Sequence, residues 1–130
     1  MTRSATKVLH DQKKNIKKNT PQLLEIIKLC DEFEFFLKNS RFKECGLLLN
    51  ENWKIKQSLS KKITNENLNQ IYNDILKCGV YGAKLLGAGG GGFFLCIGKQ
   101  DEINKIKKKF KKFRIIKFKF DRFGSQVLTI

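Results

Sequence analysis

Apolar residues in the first eighty positions recur at steps of three and four, the period of helices that bury one side. From Ser4 to about Lys18 the pattern is helical but mostly polar, with Val8, Leu9 and Ile16 as its few apolar points. Asn19 and Thr20 precede Pro21, which suits an N-cap followed by proline at the first helical position. The helix expected there places Leu23, Ile26, Ile27, Cys30, Phe33 and Leu37 on one stripe and ends near Asn39. A third helix, from Arg41 to about Leu59, carries Phe42, Cys45, Leu48, Leu49, Asn52, Trp53, Ile55 and Leu59 on a wide face broken by polar groups. A fourth follows the caps Thr64 and Asn65, buries Leu68, Ile71, Tyr72, Ile75 and Leu76, and stops at Gly79.

Beyond Gly79 the period shortens. "GAKLL" and "GFFLCIG" read as short strands around a run of glycines. Asp101 then opens a helix whose Ile103, Ile106, Phe110 and Phe113 face one way while lysines fill the rest. In "IIKFKF" the alternation of Ile116, Phe118 and Phe120 predicts a strand with rings inward and lysines outward, and "SQVLTI" predicts a last strand after a turn at Asp121 to Gly124. The expected order is therefore four helices over residues 1–79 and β-β-α-β-β over 80–130, an α+β single domain with a four-stranded antiparallel sheet and helices on one face.

A chain of 130 residues, 41% hydrophobic, can bury one core. Its net charge of +15 points to acidic partners, yet lysine supplies 23 of the 27 cationic residues, beside ten Asn and thirteen Ile. That bias fits AT-rich coding, whereas phosphate and base readout favour the planar fork of Arg. The stretch "KIKKKFKKFRIIKFKF" invites an RNA reading, but its periodicity turns the rings toward the core and argues against nucleic acid. Cys30, Cys45, Cys78 and Cys96 form no CxxC pair and only His10 is present, so no zinc or iron-sulfur site is expected. Thiols among apolar residues, with neither a leader nor a membrane span, place the expected protein in the cytoplasm.

The segment "AKLLGAGGGGFFLCIG" sets Gly87, Gly89, Gly90, Gly91 and Gly92 in six positions, although each glycine costs roughly 0.5–1 kcal/mol of conformational entropy relative to alanine. Gly87, Gly89 and Gly92 match G-x-G-x-x-G as text, but Phe93 to Ile97 continue as a strand where a dinucleotide fold requires a helix. No Gly-Lys-Ser or Gly-Lys-Thr makes a Walker loop either. What remains is a strand, a tight glycine loop and a returning strand. Bare backbone of that kind lets another surface come close and can cradle an anion such as phosphate; one or two glycines would do for a hairpin turn alone.

"GAKLLGAGGGGFFL" resembles the C-terminal motif of the GHMP kinases, the superfamily of galactokinase, homoserine kinase and mevalonate kinase. "LLLNENWKIKQSLSKKITNENLNQIYNDILKCGVYGAKLLGAGGGGFFL" is most similar to the D-glycero-D-manno-heptose 7-phosphate kinase branch, in which a W-x-x-K-x-x-L-S helix precedes the glycines. The opening "TRSATKVLHDQKKN" resembles the same branch at the start of its C-terminal half. The resemblance implies a ferredoxin-like sheet and transfer of the γ-phosphoryl of ATP, with Mg²⁺, to the anomeric hydroxyl of a heptose 7-phosphate. By position, Gly87, Ala88, Gly89, Gly90, Gly91 and Gly92 would line the phosphate end, and Trp53, Lys56 and Lys84 are candidates for the substrate side. No residue of this chain stands out as catalytic or as a metal ligand. The family's P-x-x-x-G-L-G-S-S-like loop, catalytic acid and Mg²⁺ ligand belong to an N-terminal domain with no counterpart here, so the expectation is an incomplete kinase needing that half as partner. Two alternatives stay open: a small basic nucleic-acid-binding module, and a non-catalytic domain that forms a homodimer.

Overall fold

The computed structural model describes residues 5–119. Four helices come first: α1 (Ala5–Lys14), α2 (Thr20–Lys38), α3 (Phe42–Ser58) and α4 (Glu66–Leu76). An antiparallel hairpin of β1 (Gly82–Leu85) and β2 (Phe94–Ile97) follows, and α5 (Gln100–Lys109) closes the series. Among the described residues no helix is long and apolar enough to cross a membrane.

Local chemistry accounts for most boundaries. Asn19 stands at the N-cap position of α2 without a side-chain cap bond, and Pro21 lies in the first turn, where a missing N–H costs nothing. Asn65 begins α4 by accepting from the Leu68 N–H at 3.0 Å. Gly79, at φ +93, turns the chain from α4 toward the hairpin. The Glu102 carboxylate accepts from the Lys99 N–H at 2.5 Å, so α5 starts slightly before the expected Asp101. The first helix ends at Lys14 rather than Lys18, and the chain turns until α2 begins.

Two clusters form the core. Val8, Trp53, Leu59, Ile63, Leu68 and Leu85 make one, and Ile75, Cys78, Val80, Ala83 and Ile106 the other. Trp53, Tyr72 and Phe94, one ring each from α3, α4 and β2, meet with centroids 6.3–6.4 Å apart. Burying side chains of this size stabilises a fold by about 1.5–3 kcal/mol each.

The tightest contact lies where α3 crosses β1. A Cβ built on Gly82 would stand 1.7 Å from the Gly46 carbonyl oxygen, and one on Gly46 would stand 2.4 Å from the Tyr81 Cβ. Two bare Cα atoms let helix and strand approach to backbone contact. Asn50 then fixes the register: its Oδ1 accepts from the Ala83 N–H at 2.9 Å and the Tyr72 hydroxyl at 3.0 Å, and its Nδ2 donates to the Tyr81 carbonyl at 3.2 Å. A helix side chain thus occupies the edge of β1 that faces away from β2.

Three expectations need correction. The four-stranded ferredoxin-like sheet is not seen: among the described residues the sheet has two strands, in the register Gly82↔Ile97 to Leu85↔Phe94. Residues 115–119 are irregular, with Ile116 and Phe118 more than half exposed. Phe120, the turn at Asp121 to Gly124 and the strand at 125–130 lie outside the described residues. In α2, Leu29 is buried while Ile27 and Cys30 of the expected stripe are exposed, because α3 covers a narrower face than the apolar pattern suggests. Phe113, expected on the stripe of the last helix, is more than half exposed just past the end of α5.

Two outcomes follow. Gly82→Ala, which forces a Cβ into the Gly46 carbonyl, is expected to lower stability by at least ~2 kcal/mol in urea unfolding, whereas Gly91→Ala, which meets nothing, stays within about 0.5 kcal/mol. Cys30 is exposed, Cys45 and Cys78 are buried, and burial pushes the Cys96 thiol up to about 11. Brief iodoacetamide treatment at mild pH should therefore place one adduct, on Cys30, and four only in denaturant, as read by mass spectrometry.

Candidate functional site

The glycine loop spans Gly87 to Gly92 between β1 and β2, closed at its base by the Leu86 N–H donating to the Phe93 carbonyl at 2.9 Å. Gly87, Gly89, Gly90 and Gly92 all have positive φ, between +76 and +122, a region that side chains with a Cβ rarely enter. The run of glycines is thus a conformational requirement as well as a spatial one.

The inner side of the loop is pinned. A Cβ on Gly89 would lie 2.7 Å from the Ile63 Cα and 2.9 Å from its carbonyl oxygen. The Gly90 N–H donates to that same carbonyl at 2.7 Å, and Ala88 packs on the Trp53 cluster. The outer side is open: a Cβ on Gly87 or Gly91 would meet nothing within 4 Å. The loop therefore leans on the connection between α3 and α4 with one flank and presents bare backbone with the other.

That connection is itself held by α1 and by the N-cap residue of α2. Asn19 Nδ2 donates to the Leu59 carbonyl at 2.9 Å, the Ser60 hydroxyl donates to Asp11, and Lys62 pairs with Asp11 at 3.0 Å. The Ser60 hydroxyl, then Lys62, hold the Asp11 carboxyl below its ordinary range.

Two lysines meet at the base of the loop. Lys56, on α3, donates to the carbonyls of Leu85, at 3.4 Å, and Gly87. Lys84, on β1, reaches the same helix one turn earlier and donates to Asn52 Oδ1 at 2.6 Å. Burial holds the Lys56 ammonium below its ordinary range, and the charge of Lys84 lowers it further. Burial lowers Lys84 as well. Neither has a carboxylate partner among the described residues.

The structure thus brings Lys56, Lys84 and the glycine loop together, with Trp53 in the buried cluster on which Ala88 of the loop packs. Trp53 is 0% exposed, inside the aromatic trio, so its indole packs the core beneath the site. Asn50, Asn52 and Ile63, which position the site, are the residues that sequence reasoning did not assign. The signal available for the first two was a pair of amides interrupting an apolar helical face. Elsewhere Lys77, Lys105, Lys108 and Lys109 border an open hollow of about 430 Å³ between α4 and α5, and Asp74 pairs with Lys77 and Lys109.

Among the described residues no group of three or more His, Cys, Asp or Glu side chains could hold a metal ion. With ammonium groups and carbonyls at the loop, the surroundings do not suit Mg²⁺, which favours carboxylate and water oxygens.

No curated protein matches the chain. The family model described as GHMP kinases C terminal matches residues 33–115, a span that takes in Lys56, Lys84 and the entire glycine loop. With more than half of its length matched, the chain belongs to the GHMP kinase C-terminal family.

Proposed function

We propose that this chain is the C-terminal part of an ATP-dependent sugar-phosphate kinase and contributes the glycine loop to the phosphate side of its site. The observation that carries this reading is the two-sided loop: Gly89 and Gly90 are locked against Ile63, while Gly87 and Gly91 leave open space. A hairpin needing only to turn has no use for five glycines, four of them at positive φ, with an unfilled outer flank.

Phosphoryl transfer suits such a part. The acceptor hydroxyl oxygen forms a bond to the γ-phosphorus as the bond to the ADP oxygen breaks, and its proton passes to a base; catalysis consists mainly of positioning and of charge stabilisation. This chain offers close-approach backbone and two ammonium groups for that purpose. A C-terminal domain of this family works with an N-terminal kinase domain, and the proposal gives that domain the main nucleotide loop, the proton acceptor and Mg²⁺. The acceptor proposed is the anomeric hydroxyl of a heptose 7-phosphate, supported by the W-x-x-K-x-x-L-S spacing from Trp53 to Ser60. Lys56 and Lys84 stand on the substrate side, and four unpaired thiols suit a cytoplasmic enzyme.

The test is turnover of the chain combined with an N-terminal GHMP kinase half, with heptose 7-phosphate and ATP and with hexose phosphates as comparison. ADP release dependent on the heptose phosphate is expected from the pair and none from the chain alone; a soluble, assembled pair without turnover overturns the reading. Gly91→Val, which adds its side chain to the open flank, should lower that turnover at least about tenfold while the melting temperature of the chain changes little.

A further inference from the structure

Lys56 and Lys84 pose a charge problem that the chain leaves unsolved. Both are half-buried, and the acceptors they meet are neutral: two main-chain carbonyls for Lys56 and one amide oxygen for Lys84. Partly desolvated ammonium groups are normally paired with carboxylates, yet the ion pairs among the described residues all lie elsewhere, at Lys38, Arg41, Lys62, Lys77 and Lys109. The two cations also repel each other, since each depends on the same face of α3, Lys56 directly and Lys84 through Asn52 one turn away.

Donor counting sharpens the point. An ammonium carries three N–H groups. Lys56 spends two on Leu85 and Gly87, and Lys84 spends one on Asn52. Three donors remain on two adjacent cations, beside the unfilled flank of a glycine loop.

We infer that Lys56 and Lys84 together form a binding site for a phosphate monoester dianion, with Asn52 as the residue that positions Lys84. A phosphate monoester brings two negative charges and three terminal oxygens, which matches both the missing charge and the remaining donors. A carboxylate would supply only half the charge. The hollow bordered by Lys77, Lys105, Lys108 and Lys109 is a weaker match, because Asp74 already neutralises part of it and its lysines keep their solvent. The inference deepens the kinase reading and rests on it only for the choice of sugar phosphate and nucleotide as probes; binding of inorganic phosphate is independent of it.

The experiment is equilibrium binding to the 130-residue chain, followed through the lysine side-chain NMR signals. Inorganic phosphate, a hexose 6-phosphate and ATP are titrated separately at constant ionic strength, with chloride as reference. Lys56→Met and Lys84→Met are each expected to weaken phosphate binding about tenfold, the loss of one charge-assisted contact, while Lys108→Met leaves it unchanged. Because Lys56 also bonds the hairpin, Lys56→Arg serves as a second variant that keeps the charge and the fold. If the hexose phosphate binds through these lysines more tightly than ATP does, the site takes the acceptor; the reverse order assigns it to the nucleotide, and either result supports the site. Phosphate affinity equal in wild type, Lys84→Met and Lys108→Met overturns it. Turnover in the assembled kinase is a separate readout, so an inactive pair that still binds phosphate through these lysines leaves this inference standing and removes only the kinase reading.

Discussion

At Gly46 and Gly82 a helix and a strand meet with no side chains between them, and the geometry of the loop is inherited from that contact. A Cβ on Gly82 would enter the Gly46 carbonyl, so β1 lies as close to α3 as backbone atoms permit. Only at that separation can the short amide of Asn50 reach both Tyr81 and Ala83. The same separation lets Lys84 find Asn52, and Lys56 find Leu85 and Gly87, each across a single layer. Moving the strand outward by the width of a methyl group would break several of these bonds at once. Close packing of this sort transmits strain instead of absorbing it.

Electrostatics at the loop follow from the same geometry. Cationic side chains on a protein surface lose little when unpaired, since water screens them. Lys56 and Lys84 are different, because the approach of β1 to α3 removes part of their hydration and offers only dipoles in exchange. Partial burial without a carboxylate partner among the described residues is what sets these two lysines apart from the exposed lysines of a basic surface.

Much of the helical half was legible in the sequence. The start of α2 at Asn19-Thr20-Pro21, the Asn65 cap and the approximate limits of α3 and α4 follow from local rules, although the Asn19 side chain turns to Leu59 instead of capping α2. The hairpin was legible as well, since two apolar runs around a glycine segment have few other solutions. The exposed faces of α2 were not: Ile27 and Cys30 read as core from periodicity, yet both face outward. Periodicity names the apolar side of a helix without saying whether anything covers it. The strand expected over "IIKFKF" is irregular in its described residues 115–119, since alternation names two faces of a segment without itself forming a ladder. At the site, Gly87 to Gly92 announced themselves by composition, while Asn50 and Asn52 were hidden as polar interruptions whose meaning depends on a strand that sequence spacing does not bring into view.

The polar side chains of α3 also decide how this sheet can grow. Asn50 engages the Tyr81 carbonyl and the Ala83 N–H, and Lys56 engages the Leu85 carbonyl, so α3 takes up three hydrogen-bonding groups on the outward row of β1. An open row of that kind is where sheets recruit foreign strands and where aggregation begins. Here the helix acts as a stopper along that border.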